Sequence, residues 1–527
     1  MPKKAIGTQI VQALPTIVLI AMVVALSMPV VIEMVRTLPG ASLDETLIGQ
    51  GKMLLLVRSL AIAGLIGLVG VCMGVPIGRV IHAKIGEHRF LIAVLISPIW
   101  LPAMMVYAAG NLMRAPDTIL GHALISYSTS SPDLRWMTIW AGYAIAVIGL
   151  AIWSAPIAGL LIASGMGHRS NLYAEMIALE PVGIVRRSMI WVRMNIGVLV
   201  RAWILLTVLM LGSAVPMHLA QLETWSIVIW RQLAQSPIDQ WGAVWVSAWP
   251  MVLVACIGAW VLTGSLIHKE DTPRLEDHGH STQRVPKLVI VSAMVIWAMG
   301  ALVPMIAMLI TLDDWSAIPH FWRMQSSAMQ DSGFLALVTG FATMMIALLV
   351  AMTLGNPSIA IRRLGVGSVF ALCILGLIPG VLIGAAVARS GALGGWWGAL
   401  LASCIRAGFL GAIIGAMCAS SESLERKSIR WQMGGGSIRA WVLAVLPRIS
   451  MPILGSGLIG GLYSMYEIEA SVMVRPPGMD NLPQQLLSDL HYARLEQLSA
   501  AGINLLAIGL VCSVVASMLV SRIQTER

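Results

Sequence analysis

Three consecutive glycines, Gly434-Gly435-Gly436, interrupt the apolar chain within the stretch Trp431 to Pro447. Glycines in a row either cradle a phosphate or let the backbone turn where side chains would clash. A nucleotide loop of the form G-x-x-x-x-G-K-[ST] needs a lysine for the phosphates and a hydroxyl for magnesium. Ser437-Ile438-Arg439 follow Gly436, with no lysine. The single Gly-Lys pair, Gly51-Lys52, is followed by Met53. The chain therefore reads as a non-enzyme that holds no ATP, magnesium or other cofactor of its own. Two further groups have metal-binding types. His278-Gly279-His280 lies in a polar stretch and reads as solvated linker; Asp489 with His491-Tyr492 offers iron-ligand types near the C-terminus. Other charges stand out because they lie in or beside apolar runs. Arg406 is about ten residues into such a run, where a charge costs several kcal/mol unless it pairs or faces water. It either lines a central path or pairs across the halves, and Glu467 is a candidate partner. Glu467 and Glu469 read either as a solvated helix end or as a gate or docking contact for a partner protein.

Composition supplies the elements that position these residues. Of 527 residues, 58% are apolar and 11% charged, against roughly a quarter charged in soluble domains. Apolar runs of about 20 residues recur along the chain, each long enough to cross the hydrocarbon core. They must be helices, since backbone groups in lipid are satisfied within the segment. Twelve spans are expected, at about 10–33, 53–80, 90–112, 136–164, 195–217, 241–266, 288–311, 333–355, 367–389, 396–418, 447–468 and 498–521. The net charge of +9 would suggest nucleic acid in a soluble protein. Here Lys and Arg concentrate in the loops on the side of Lys3 and Lys4, which places both termini in the cytoplasm and excludes a nucleic-acid partner. Cys72, Cys256, Cys373, Cys404, Cys418 and Cys512 all fall within spans, so no disulfide framework is implied.

The polar stretch His268 to Lys287 divides the spans six and six. Residues 1–267 form one half, 268–287 a cytoplasmic linker and 288–527 a second half. Corresponding features recur. Each second span ends in Gly-x-Pro followed by arginine (Gly74, Pro76, Arg79; Gly355, Pro357, Arg362), and each third span carries a proline (Pro102; Pro379). A long cytoplasmic loop, 166–194 or 419–446, follows each fourth span. An even number of spans per half makes this a parallel repeat about an axis along the membrane normal, and transport the default function.

The second loop runs as a charged, helix-like piece to Arg430, a glycine break, and an amphipathic piece ending in Leu446-Pro447, where proline can open the next helix. Gly434, followed twelve and thirteen residues later by Leu446 and Pro447, resembles the "EAA…G…LP" loop of ABC-importer permeases. The family's glutamate falls on Ser428 and its alanines on Ile429 and Arg430, with Glu425 a turn earlier and Gly435 beside the family glycine. The first loop keeps the glutamate at Glu175. Met176 and Ile177 replace the alanines, Pro181 stands at the glycine with Gly183 close behind, and Arg193-Met194 replaces Leu-Pro. A second stretch, EIEASVMVRPPG from Glu467 to Gly478, is similar to the "ELPATLLLRPPG" segment of permeases in the ferric-iron importer group. Glu467, Ala470, Ser471, Arg475, Pro476, Pro477 and Gly478 fit, while Glu469 replaces a proline. Pro379-Gly380 and Arg406 fit that group too.

The resemblance covers most of 333–521 well and 53–217 loosely. It implies an all-α, type I ABC-importer permease of about twelve transmembrane helices in the cell inner membrane. Its partners would be two copies of an ATP-hydrolysing subunit, docked on the two loops, and an extracytoplasmic solute-binding protein. Ferric iron is the first cargo it suggests. Iron capture would then rest with the binding protein rather than with Asp489 and His491, and Arg406, Glu467, Glu469 and Arg475 would belong to the path or gate. The alternative is a proton-coupled transporter of the major-facilitator type, also twelve spans in two parallel halves. The segment Gly74 to Arg89 only loosely resembles that family's Gly-Asp-Arg-Gly loop, with His82 where the acid should stand.

Overall fold

The computed structural model describes residues 2–37, 50–84, 88–112, 119–130, 135–166, 183–219, 222–237, 240–267, 285–312, 314–391, 395–422, 430, 438–474, 478–479, 481–492 and 494–525. These residues are helical nearly throughout, and no strand occurs among them. The N-terminal part contains α1 (Pro2–Thr37), α2 (Gln50–Lys84), α3 (Arg89–Ile96), α4 (Ala103–Leu112), α5 (Ile119–Ser130) and α6 (Arg135–Gly165). It continues with α7 (Ile184–Gly212), α8 (Val215–Leu219), α9 (Trp225–Gln235), α10 (Trp241–Ser247) and α11 (Trp249–Ile267). The C-terminal part opens with α12 (Lys287–Trp297), α13 (Val303–Ile310), α14 (Ala317–Met324), α15 (Ser326–Leu354), α16 (Ile359–Leu377) and α17 (Gly380–Ser390). It ends with α18 (Trp396–Ser421), α19 (Ile438–Ala444), α20 (Leu446–Tyr466), α21 (Glu469–Val474), α22 (Leu482–His491) and α23 (Leu495–Thr525).

Among the described residues nine helices are long and apolar enough to cross a bilayer, or ten if the bent pair α10–α11 is one crossing. The chain is an all-α, multi-pass membrane protein. Three of the twelve expected spans are not straight apolar helices, for local reasons. The third is divided: α3 tightens into a 3-10 turn at Ser97–Trp100, and Leu101-Pro102 separates it from α4. The sixth bends by 53° between α10 and α11. The eleventh, α20, carries Gly455, Gly457, Gly460 and Gly461 with three serines, which lower its apolarity. The ninth keeps a qualifying helix, α16, but stops short at Ile378-Pro379 and resumes as α17.

The Gly-x-Pro repeat has two different outcomes. Helix α2 runs through Pro76 to Lys84, whereas α15 ends at Leu354. Asn356 makes the difference: its side-chain carbonyl accepts the Ser358 N–H at 3.0 Å, a local turn that competes with helix. Val75 at the matching position has no such group. Leu446 and Pro447 open α20 as expected, with proline where its missing N–H is harmless.

The helices meet through small residues. In the N-terminal part α2 lies along α6 and α7; in the C-terminal part α15 lies along α18 and α20. A Cβ on Gly74 would sit 2.5 Å from the Ala158 Cβ, and one on Gly78 would sit 2.8 Å from the Gly159 carbonyl. On the other side a Cβ on Gly411 would meet the Thr343 carbonyl at 2.4 Å, and one on Gly415 the Ala347 carbonyl at 2.4 Å. Lipid gives no hydrophobic drive between helices, so this close backbone approach supplies the packing.

The first helix of each part crosses to the other. Helix α1 packs on α15, α16 and α17, while α12 packs on α2 and α13 on α4. Polar contacts hold both crossings: Thr16 Oγ1 donates to Thr353 Oγ1 at 3.3 Å, and Trp297 Nε1 donates to Ser97 Oγ at 3.1 Å.

Gly411→Ala is expected to cost about 1–3 kcal/mol through overpacking. Gly333→Ala, whose Cβ would meet nothing within 4 Å, is expected to be neutral or to stabilise by up to about 1 kcal/mol. Thermal unfolding of the two variants in one detergent checks the opposite signs.

Candidate functional site

Helix α16 ends because Pro379 has no N–H to donate and pushes Ile378 to an extended conformation (φ −61°, ψ 138°). The last carbonyls of a helix have no partner within it, and in an apolar surrounding each unmet group costs several kcal/mol. Arg406 on α18 meets two of them. Its Nη1 donates to the Gly376 carbonyl and to the Ile378 carbonyl, both at 2.7 Å. The approach requires glycine at 376, where a Cβ would overlap the Phe409 ring at 2.4 Å.

Arg406 is nine-tenths buried and also pairs with an anion. Its Nε donates to Glu467 Oε2 at 3.3 Å, and its guanidinium lies over the Tyr463 ring at 5.9 Å. Glu467 stands where α20 ends in an extended residue. Its Oε1 accepts the Ala470 N–H at 3.0 Å, while its backbone carbonyl accepts Ser471 Oγ at 2.8 Å, so one residue ties the end of α20 to the start of α21. Gly380 leaves room for this carboxylate: a Cβ there would lie 2.6 Å from Glu467 Oε1.

Glu469 reaches the other way, into the N-terminal part. Its Oε1 accepts the N–H groups of Ala214 at 2.5 Å and Val215 at 3.4 Å, in the turn between α7 and α8. That turn rests on the α16–α17 break, with Gly212 against the Leu377 carbonyl and Pro379. Glu469 Oε2 is buried and receives no hydrogen bond from any described residue. Burial, and next the Glu467 carboxylate beside it, raise Glu469 above the usual carboxylate range; Arg406 and the two N–H groups act against this. One guanidinium and two carboxyl groups thus share a buried site where both parts of the chain meet.

The α3–α4 break has a matching arrangement without the charges. Leu101, the residue before Pro102, is extended (φ −83°, ψ 129°). Its carbonyl accepts Trp153 Nε1 on α6 at 2.7 Å. In each part, a side chain from the next long helix satisfies the carbonyl just before the proline.

Arg406 pairs with its candidate partner Glu467, within the C-terminal part rather than across the halves. The reading of Glu467 and Glu469 as a solvated helix end is corrected: each is 7% exposed, because α17 and the α7–α8 turn cover them. Gly183 precedes α7 and is exposed. Glu175, Met176, Ile177, Pro181, Glu425, Ser428, Ile429, Gly434, Gly435 and Arg475 lie outside the described residues. Arg430 and Glu422 form a two-pronged ion pair, with both contacts at 2.9 Å. The pair draws together the chain on either side of 423–429.

Three residues escaped the sequence reading. Trp153 was one tryptophan among nineteen. Glu33 and Arg389 pair at 2.6 Å between α1 and α17, with the Glu33 side chain fully buried; the signal was a lone acid near the end of an apolar run. Among the described residues no group of three or more His, Cys, Asp or Glu could hold a metal ion. Asp489 instead faces Arg494 at 3.6 Å.

No protein-family model, no curated protein and no solved structure matches the chain.

Arg406→Ala strands a buried carboxylate and two carbonyls, and is expected to cost about 3–5 kcal/mol. Trp153→Phe strands one carbonyl and is expected to cost about 1–3 kcal/mol. Unfolding midpoints in a common detergent rank the two; equal small shifts would contradict the assigned roles.

Proposed function

We propose that this chain is the membrane-spanning subunit of a binding-protein-dependent ABC importer. Twelve crossings arise when α3–α4, α10–α11, α12–α13 and α16–α17 each count as one broken span. The reading rests first on the reciprocal crossing of α1 and α12–α13, a correspondence between the parts that suits a parallel two-fold repeat of six. The matched proline breaks, each met by the next long helix, support the same repeat. Two halves joined at a polar seam can rock against each other and alternate access to a path between them.

The drive in this proposal comes from two ATP-hydrolysing subunits on the cytoplasmic loops 166–194 and 419–446, and cargo comes from an extracytoplasmic binding protein. Both termini lie in the cytoplasm and the chain sits in the cell inner membrane. Ferric iron is the first cargo to test, on the likeness of Glu467 to Gly478 to the iron-importer segment. Asymmetry between the loops follows from their residues: Gly434 and Leu446-Pro447 keep the docking pattern, while Pro181 and Met194 depart from it.

Gly434→Leu is expected to leave the protein inserted and bound to its ATPase while uptake falls and ATP hydrolysis continues. Glu175→Ala and Pro181→Ala are expected to act less. Uptake and ATPase assays on reconstituted complexes check both statements. Undiminished uptake by Gly434→Leu would overturn the coupling role, and uptake that collapses with a protonophore at full ATP would overturn the importer reading.

A further inference from the structure

The contact between Glu469 and the α7–α8 turn is the point where a side chain of the C-terminal part is held by backbone of the N-terminal part. Its charge count is uneven. Arg406 supplies one positive charge, and Glu467 already uses it through Oε2. Glu469 adds a second negative charge with two N–H groups on one oxygen and nothing on the other. A buried carboxylate oxygen without a partner is costly as an anion. The cost falls sharply if that oxygen carries a proton, since the group is then neutral and Oε1 remains a carbonyl acceptor.

We propose that closing the seam between the two parts of the chain binds one proton on Glu469, and that opening it releases that proton to water. In the closed form Glu469 is a carboxylic acid, with Oε1 accepting from Ala214 and Val215 and the hydroxyl at Oε2. When the turn leaves, water reaches the group, the O–H bond breaks, and the carboxylate remains beside Glu467. The seam is therefore a proton-binding site formed by both parts, and closure weakens as pH rises. This inference does not depend on what drives the protein.

The neighbours leave Glu469 as the group that titrates there. Helix α18 presents Arg406, held by two carbonyls and Glu467. The end of α20 presents Tyr463 and Glu467, the latter paired with Arg406 and accepting from Ala470. Helix α17 faces the site with Gly380 and Gly384, and its one charged residue, Arg389, is engaged by Glu33. Helix α8 contributes His218, whose ring lies 6.0 Å from Trp230; burial lowers its proton affinity, helped by His491 and Arg231. These act in the direction of a neutral His218 ring, and no hydrogen bond joins it to Glu469 among those of the described residues.

Hydrogen exchange at the amides of residues 214 and 215 reads the seam directly in the full chain held in lipid nanodiscs. Intrinsic exchange is divided out at each pH between about 5 and 9, the range that brackets a carboxyl raised by burial. Wild-type protection is expected to fall as pH rises, approaching about tenfold per pH unit. Glu469→Gln, which keeps the acceptor and is always neutral, is expected to stay protected at every pH. Glu469→Ala is expected to lose protection at every pH while amides in α2 and α6 stay protected. The proposal is overturned if wild-type protection is flat with pH, if Glu469→Gln follows the wild-type slope, or if Glu469→Gln is unprotected throughout.

Discussion

A helix broken inside an apolar layer leaves carbonyl groups that neither the helix nor lipid can satisfy. The centre of this protein is arranged around that constraint. At Ile378-Pro379 the guanidinium of Arg406 reaches the freed carbonyls; at Leu101-Pro102 the Trp153 ring N–H does so. Choosing arginine in one place has consequences that tryptophan does not have. A buried cation needs an anion, which brings in Glu467 from the end of α20. Glu467 then ends one helix and starts the next, which points Glu469 at the α7–α8 turn. The polar seam between the two parts of the chain follows from the way one proline break was satisfied.

Close packing makes such an arrangement possible. Glycines at 376 and 380 let α18 and Glu467 approach the break, and glycines at 74, 78, 411 and 415 bring α2 and α15 against their neighbours. The crossings of α1 and α12–α13 then fasten each part to the other, with the buried Glu33–Arg389 pair on one of them. The two parts also share one apolar core, in which Leu19, Leu26, Ile66 and Leu205 pack with Ile346, Leu377, Ile378 and Phe409, so the polar links sit within a larger buried contact.

Sequence reading located most of the long helices, because an uncharged apolar run of about 20 residues matches the thickness of a bilayer and little else. It found both prolines as unusual residues within spans, and it offered Glu467 as a partner for Arg406 because a charge at mid-span must pair or face water. Its failures share a cause. The depth of Glu467 and Glu469 depended on what covers them, and the cover comes from α17 and from a turn some 250 residues earlier. Trp153 was invisible because tryptophans are common in membrane proteins, where most anchor span ends at the interface. The Gly-x-Pro repeat looked uniform, yet one intervening residue, Val75 or Asn356, decided whether the helix continued. Long-range cover and single-residue turn chemistry leave little trace in periodicity.

On the proposed importer reading, the seam between Glu469 and the α7–α8 turn opens each time cargo passes. Ala214→Cys and Glu469→Cys are combined in a chain lacking its six native cysteines, and the test uses preparations in which oxidation is shown to cross-link the pair completely. ATP-driven uptake by the reconstituted complex should stop when the pair is oxidised and return on reduction, with each single cysteine variant unaffected by oxidant. Uptake that continues through an oxidised, fully cross-linked seam would contradict the account.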